Sequence, residues 1–168
     1  CAMIYPNNFE QKVGFDQIRI LLKEKCLSPL GEEKVDEMTF GACFHEIKEE
    51  LEKTHEMLCV IRQAQNFPVQ YFFDVRPSLK RIRIEGLYLD EQELFDLRRS
   101  LETIRDIVCF FVKEDGENGT PLYPRLKALA ADIEVFSPCI KRINSILSPY
   151  GRLKDNASPQ PAQIRKEL

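Results

Sequence analysis

Apolar residues recur at steps of three and four along most of the chain, a spacing that predicts helices nearly throughout. Phe15, Ile18 and Leu22, with Leu21 beside them, mark a first helix ending near Cys26. Ser28-Pro29 caps a second, reaching about Met38. A third runs from about Phe44 to Ala64, with Ile47, Leu51, Thr54, Leu58 and Ile61 on one face and Glu46, Glu49, Glu50 and Glu52 elsewhere. Residues 66–73 are rich in aromatic and β-type side chains without a 3.6 period, so they read as irregular with a short extended piece.

Asp74 caps a short helix containing Pro77, Leu79 and Ile82 that Gly86 closes. The longest element follows. Asp90 and Glu93 form a capping-box pair, and Leu94, Leu97, Leu101, Ile104, Val108 and Phe111 step by 3, 4, 3, 4, 3. That stripe, with Phe95, Ile107 and Phe110 beside it, predicts the central helix of the core, with Leu101 in mid-seam and Arg99 off it. DGENG at 115–119 is a turn-rich loop. Helices are predicted over 121–131 and from the cap Ser137-Pro138 to Leu147, with a tight turn at Gly151 after them. A last helix starts at Ser158-Pro159 and includes Gln163, Ile164, Arg165 and Lys166. The expected fold is all-α: an irregular bundle of about seven helices around one long central helix, with at most a small β-hairpin near 148–156. Cys1 and Ala2 precede Met3, which looks like a natural start, and read as an appended remnant; residues 3–168 read as one helical domain.

At 168 residues the chain is long enough to bury a core without disulfides or a metal. Cys26, Cys43, Cys59, Cys109 and Cys139 lie singly in apolar or helical patterns, the mark of buried reduced thiols. No apolar stretch approaches a membrane span and no signal segment opens the chain, so a cytoplasmic location is expected, without a membrane partner. Charge is uneven: −4 over 1–70, −3 over 71–140 and +4 over 141–168. A mostly acidic surface binds nucleic acid poorly, because phosphate neutralisation supplies most of that affinity. In the basic end segment Arg152, Lys154, Arg165 and Lys166 are the candidates for weak phosphate contacts.

Catalytic chemistry finds no constellation. Cys43, His45, His55 and Cys59 resemble a metal set only on paper. Roughly 15 Å of helix separates the two pairs, so one zinc cannot bind all four. Neither histidine lies near a serine or cysteine in the strand–turn–helix setting of a triad. Glu32-Glu33, Glu49-Glu50 and Asp90-Glu91 read as solvated helix faces. Neither GxxxxGK[ST] nor GxGxxG occurs. No catalytic, cofactor-binding or metal residue is therefore expected in this chain.

Three stretches in order carry a resemblance: VGFDQIRILLKEKCLSPLGEEKVDEM at 13–38, FDVRPSLKRIRIEGLYLDEQELFDLRRSLETI at 73–104 and YGRLKDNASPQPAQIRKEL at 150–168. Together they resemble the MutS family of DNA-repair ATPases, in its second bacterial branch, which lacks the mismatch-reading domains and is linked to recombination control. The specific series is Phe15-Asp16, Ser28-Pro29-Leu30-Gly31, Arg76-Pro77, Gly86 to Asp90, and Asp155 through Ser158-Pro159 to Ile164-Arg165. The resemblance implies the first part of the helical core and lever region, with the clamp arm begun at 158–168 and cut within its first turns. Gln160-Pro161 stands where the family usually has a pair such as Glu-Leu; Pro161 falls in the first turn and is tolerated there.

By the same resemblance the whole protein would be an ATPase using ATP and Mg²⁺, and an endonuclease in some members. It would form a homodimer and act on branched or recombining DNA, with the ribosome as a second partner class. This chain would be its non-catalytic scaffold, joining the downstream ATPase to a clamp that reaches DNA. The rival expectation is a free-standing helical module for protein–protein interaction.

Overall fold

The computed structural model describes residues 6–63, 66–113 and 116–154. Among them are eight α-helices and no β-strand, so the fold is the expected all-α one. They are α1 (Phe9–Lys12), α2 (Phe15–Lys23), α3 (Pro29–Glu37), α4 (Phe44–Gln63), α5 (Arg76–Arg81), α6 (Glu91–Lys113), α7 (Pro124–Ala131) and α8 (Ser137–Ile146), with a 3₁₀ turn at Glu117–Gly119. Seven of the expected helices fall among these residues, and the one-turn α1 adds to them. The small hairpin expected near 148–156 is reduced to one antiparallel bridge, Leu147 to Leu153. The helix begun at Ser158-Pro159 lies outside the described residues.

The chain divides into two compact units between Thr54 and His55, within the continuous helix α4. In the first, α2 packs on α1 and α3, Phe9 meets Phe40 edge-on at 5.8 Å, and Lys23 pairs with Asp36 at 2.7 Å. None of its three short helices has a fully buried residue. The second unit is built on α6, against which α7 and α8 pack. The N-terminal half of α6 supplies Leu94 and Leu97 to a cluster with Ile143 and Leu147, edged by Leu79, Phe95, Leu101 and Ile146. Its C-terminal half supplies Phe111 to another cluster with Val60, Tyr123 and Ala130, edged by Met57, Phe67, Phe110 and Leu126. One 23-residue helix thus runs through both cores.

Boundaries follow local chemistry. The Asp90/Glu93 box forms as expected: the Glu93 N–H donates to Asp90 Oδ1 at 2.8 Å and the Asp90 N–H to Glu93 Oε2 at 3.0 Å. Ser28 precedes Pro29 in extended conformation, but its hydroxyl makes no cap hydrogen bond. Ser137 is the first helical residue of α8 and not its cap, and α7 starts at Pro124, three residues after the expected Pro121.

Two predicted seams shift. On α4, Ile47, Leu51, Leu58 and Ile61 are all exposed, and the residues buried are Glu56 and Val60. The reason is tertiary: Glu56 is drawn inward by the start of α7, which turns Val60, one helical turn on, into the core. On α6, Leu94, Leu97 and Phe111 are buried, but Ile104 is 37% exposed and Leu101 only partly covered. A straight helix drifts about 20° per heptad against a 3.5-residue repeat, so one stripe cannot face both clusters along its whole length. The cysteines are not uniformly buried either; Cys43 and Cys109 are exposed, and Cys26, Cys59 and Cys139 are partly covered. Among the described residues no helix is long and apolar enough to cross a membrane.

Leu97→Ala should therefore cost about 2–5 kcal/mol in urea unfolding, as a deletion in a closed core. Ile104→Ala should cost less than about 1 kcal/mol. Equal losses would put Ile104 back in the seam.

Candidate functional site

Helix ends leave amides and carbonyls without intrahelical partners, with partial positive charge at the N-terminus and negative at the C-terminus. In this chain charged side chains from neighbouring helices answer them. Arg98, 4% exposed on α6, sits at the end of α8. Its Nη1 donates to Asn144 Oδ1 at 3.2 Å and Leu147 O at 3.4 Å, and its Nη2 to Ser148 O at 2.9 Å and Pro149 O at 3.2 Å. Its guanidinium also lies 5.2 Å from the Phe95 ring centre. In the first unit Arg19 of α2 repeats the device at the end of α3. It donates to Val35 O and, at 2.6 Å, to Met38 O, pairs with Glu10 at 2.9 Å and lies over Phe15.

The opposite end is met by the opposite charge. Glu56 of α4, 8% exposed, accepts at Oε2 from the amides of Arg125 and Leu126, both at 3.0 Å, in the first turn of α7. Glu93 joins two elements: besides closing its own cap it accepts from the Ser78 hydroxyl at 2.9 Å and from the Arg81 guanidinium of α5. The Arg81 bond, followed by the Asp90 amide, holds the Glu93 carboxyl down at about 2, against an ordinary 4.5.

Arg99, expected off the seam, is enclosed by aromatic rings. Its guanidinium carbon lies 4.2 Å from the ring centre of Phe95, 4.5 Å from Phe73 and 4.7 Å from Tyr71, and Nη2 pairs with Asp96 at 2.6 Å. This cation–π cage, with the Phe73 N–H donating to Ser100 Oγ at 3.4 Å, ties the irregular 66–75 segment to α6.

The basic candidates differ in their surroundings. Lys154 Nζ donates to Asn144 O at 2.6 Å, which turns it toward α8. The Arg152 side chain is 83% exposed, 3.8 Å from Glu91, and extends into solvent beside Tyr150, 87% exposed. Arg165 and Lys166 lie outside the described residues. His55 and Cys59 share a face of α4, Nε2 to Sγ 3.7 Å, and line a cleft of about 190 Å³ with Glu56, Gln63, Leu122 and Tyr123. Glu56 there accepts from the two α7 amides. Among the described residues no group of three or more His, Cys, Asp or Glu could hold a metal ion. Ionic and aromatic anchors fasten α5, α7, α8 and the 66–75 segment to two long helices. Asp90-Glu91, expected as a solvated face, belongs to these anchors, since Glu91 Oε1 accepts from the Leu153 amide at 3.2 Å.

No family model matches the chain. Curated relatives named Endonuclease MutS2 do. The one from Alkaliphilus oremlandii is 30% identical over 154 residues, 92% of this chain and 19% of its own length. The one from a Geobacillus species is 29% identical over 156 residues, with the same shares. That from Shouchella clausii is 28% identical over 161 residues, 95% of this chain and 20% of its own. The chain thus spans about a fifth of the length of the curated relatives it matches.

The Glu93 anchor makes a pH prediction. Because its folded pKa lies below the unfolded one, its contribution is complete above about pH 4.5 and is lost as the pH falls toward 2. Glu93→Gln should lose about 1–2 kcal/mol at pH 7, allowing for solvent screening, and the gap to wild type should close over that acid window. Urea midpoints measured from pH 7 to 2.5 check it.

Proposed function

We propose that this chain, a MutS2-like segment of the MutS-related family, is a non-catalytic helical scaffold. It is the core and lever part that couples a downstream ATPase to a clamp reaching DNA. The observation that carries the reading is α6, which passes through both clusters of the second unit and takes anchors along its length from α5, the 66–75 segment, α8 and the hairpin after it. A lever must be a packed body if displacement at one end is to appear at the other, because well-packed interiors deform little. In the whole protein ATP and Mg²⁺ would be held by the ATPase and not by these residues. Branched or recombining DNA, a second copy and the ribosome would be partners of that larger assembly, in the cytoplasm.

The reading frame supplies the first test: it should continue past Leu168 into a long helical pattern and then a GxxxxGK[ST]. In a nuclease-free preparation the 168-residue chain should hydrolyse no ATP above a no-protein control. By fluorescence anisotropy it should bind duplex and four-way-junction DNA with a Kd weaker than about 10⁻⁵ M near physiological salt, as few phosphates can be neutralised at once. Sub-micromolar, structure-selective binding by these residues alone would overturn the scaffold assignment.

A further inference from the structure

After α8 the chain makes a compact hairpin in which most backbone groups are used. The Ser148 N–H donates to Arg152 O at 2.7 Å, Gly151 to Ser148 O at 3.0 Å and Lys154 to Ile146 O at 2.9 Å, while the Arg152 N–H donates to Ser148 Oγ at 3.1 Å. These bonds set its shape. Its placement comes from three side chains on α6. Glu91 accepts from the Leu153 amide, Phe95 lies beneath Gly151, and Arg98 donates to the carbonyls of Leu147, Ser148 and Pro149. Residues 91, 95 and 98 step by four and three, so one face of α6 grips three points of the hairpin.

We infer that Arg98 is a positioning residue that clasps the 147–154 hairpin to α6, making the two one rigid body. The inference deepens the scaffold reading and rests on it: a lever transmits displacement only through a joint without slack. Arginine suits the task because its planar fork offers several donors in fixed directions, whereas a lysine ammonium on a flexible stem is a single point. All four acceptors are uncharged oxygens, so the side chain's orientation is set by geometry and not by the strongest nearby anion.

Amide exchange and ¹⁵N relaxation on the 168-residue chain test this without nucleotide or DNA, so a failure here leaves the scaffold reading to its own experiments. In Arg98→Lys the amides of Ser148, Gly151, Arg152, Leu153 and Lys154 should exchange at least ~10-fold faster, the scale of losing a charged hydrogen bond. The Phe110 and Phe111 amides should change less than ~2-fold, and hairpin order parameters should fall from about 0.85 to below about 0.6. Arg98→Gln removes the charge and most of the donors without leaving a buried unpaired ammonium; it should loosen the same amides, and it stands as the deciding variant if Arg98→Lys does not fold. Unchanged hairpin protection in a folded Arg98 variant overturns the inference. So does equal acceleration in both cores, which would make Arg98 a global stabiliser and not a clasp.

Discussion

A guanidinium taken out of water must find acceptors for its N–H groups, and a helix that stops inside a protein must find donors for its last carbonyls. Arg98 and the end of α8 meet both requirements in one contact. Much of the second unit depends on it. The contact decides where α8 stops, holds the chain that follows against α6, and brings Leu147 into the cluster with Leu94, Leu97 and Ile143. An arginine so buried without acceptors would cost several kcal/mol, more than most single contacts return.

The same rule appears with each sign of charge. Arg19 answers the end of α3 and Glu56 the start of α7, each from a neighbouring helix. Both arginines lie over a phenylalanine one turn earlier on their own helix, Phe15 and Phe95, so the apolar stem is covered as the charge is placed. Short helices such as α3, α7 and α8 are marginal alone. Fixing their ends from outside compensates for length and leaves α4 and α6 as the long members that carry the rest.

This explains what the sequence does and does not disclose. Devices confined to a few neighbouring residues are legible: the Asp90/Glu93 box, Pro29 at the start of α3, the turn at Gly151, and the period that marks α6 from Glu91 to Lys113. Contacts between residues far apart are not. Glu56 looks like one more acid on a charged helix, and only the α7 amides 69 and 70 residues later make it a buried cap. Arg99 is expected only to lie off the seam and Arg98 carries no local signal, yet Arg98 enters the core and Arg99 an aromatic cage whose rings include Tyr71 and Phe73. For the same reason the apolar stripe of α4 misled: periodicity reports which residues share a face, while burial depends on what else arrives there. The basic residues at 152 and 154 are alike in sequence and differ in structure, because Lys154 finds a carbonyl and Arg152 extends into solvent.

Gly151 and Phe95 show how such packing constrains change. Position 151 is closed to larger residues twice over, by its backbone φ of 78° and by the ring pressed against it. Shrinking the ring would remove only the second barrier and would open a void under the turn. The two positions therefore form one unit of inheritance: among homologous chains a side chain at 151 should be found only with a smaller residue at 95 and a reshaped turn, and drift at either site alone should be rare.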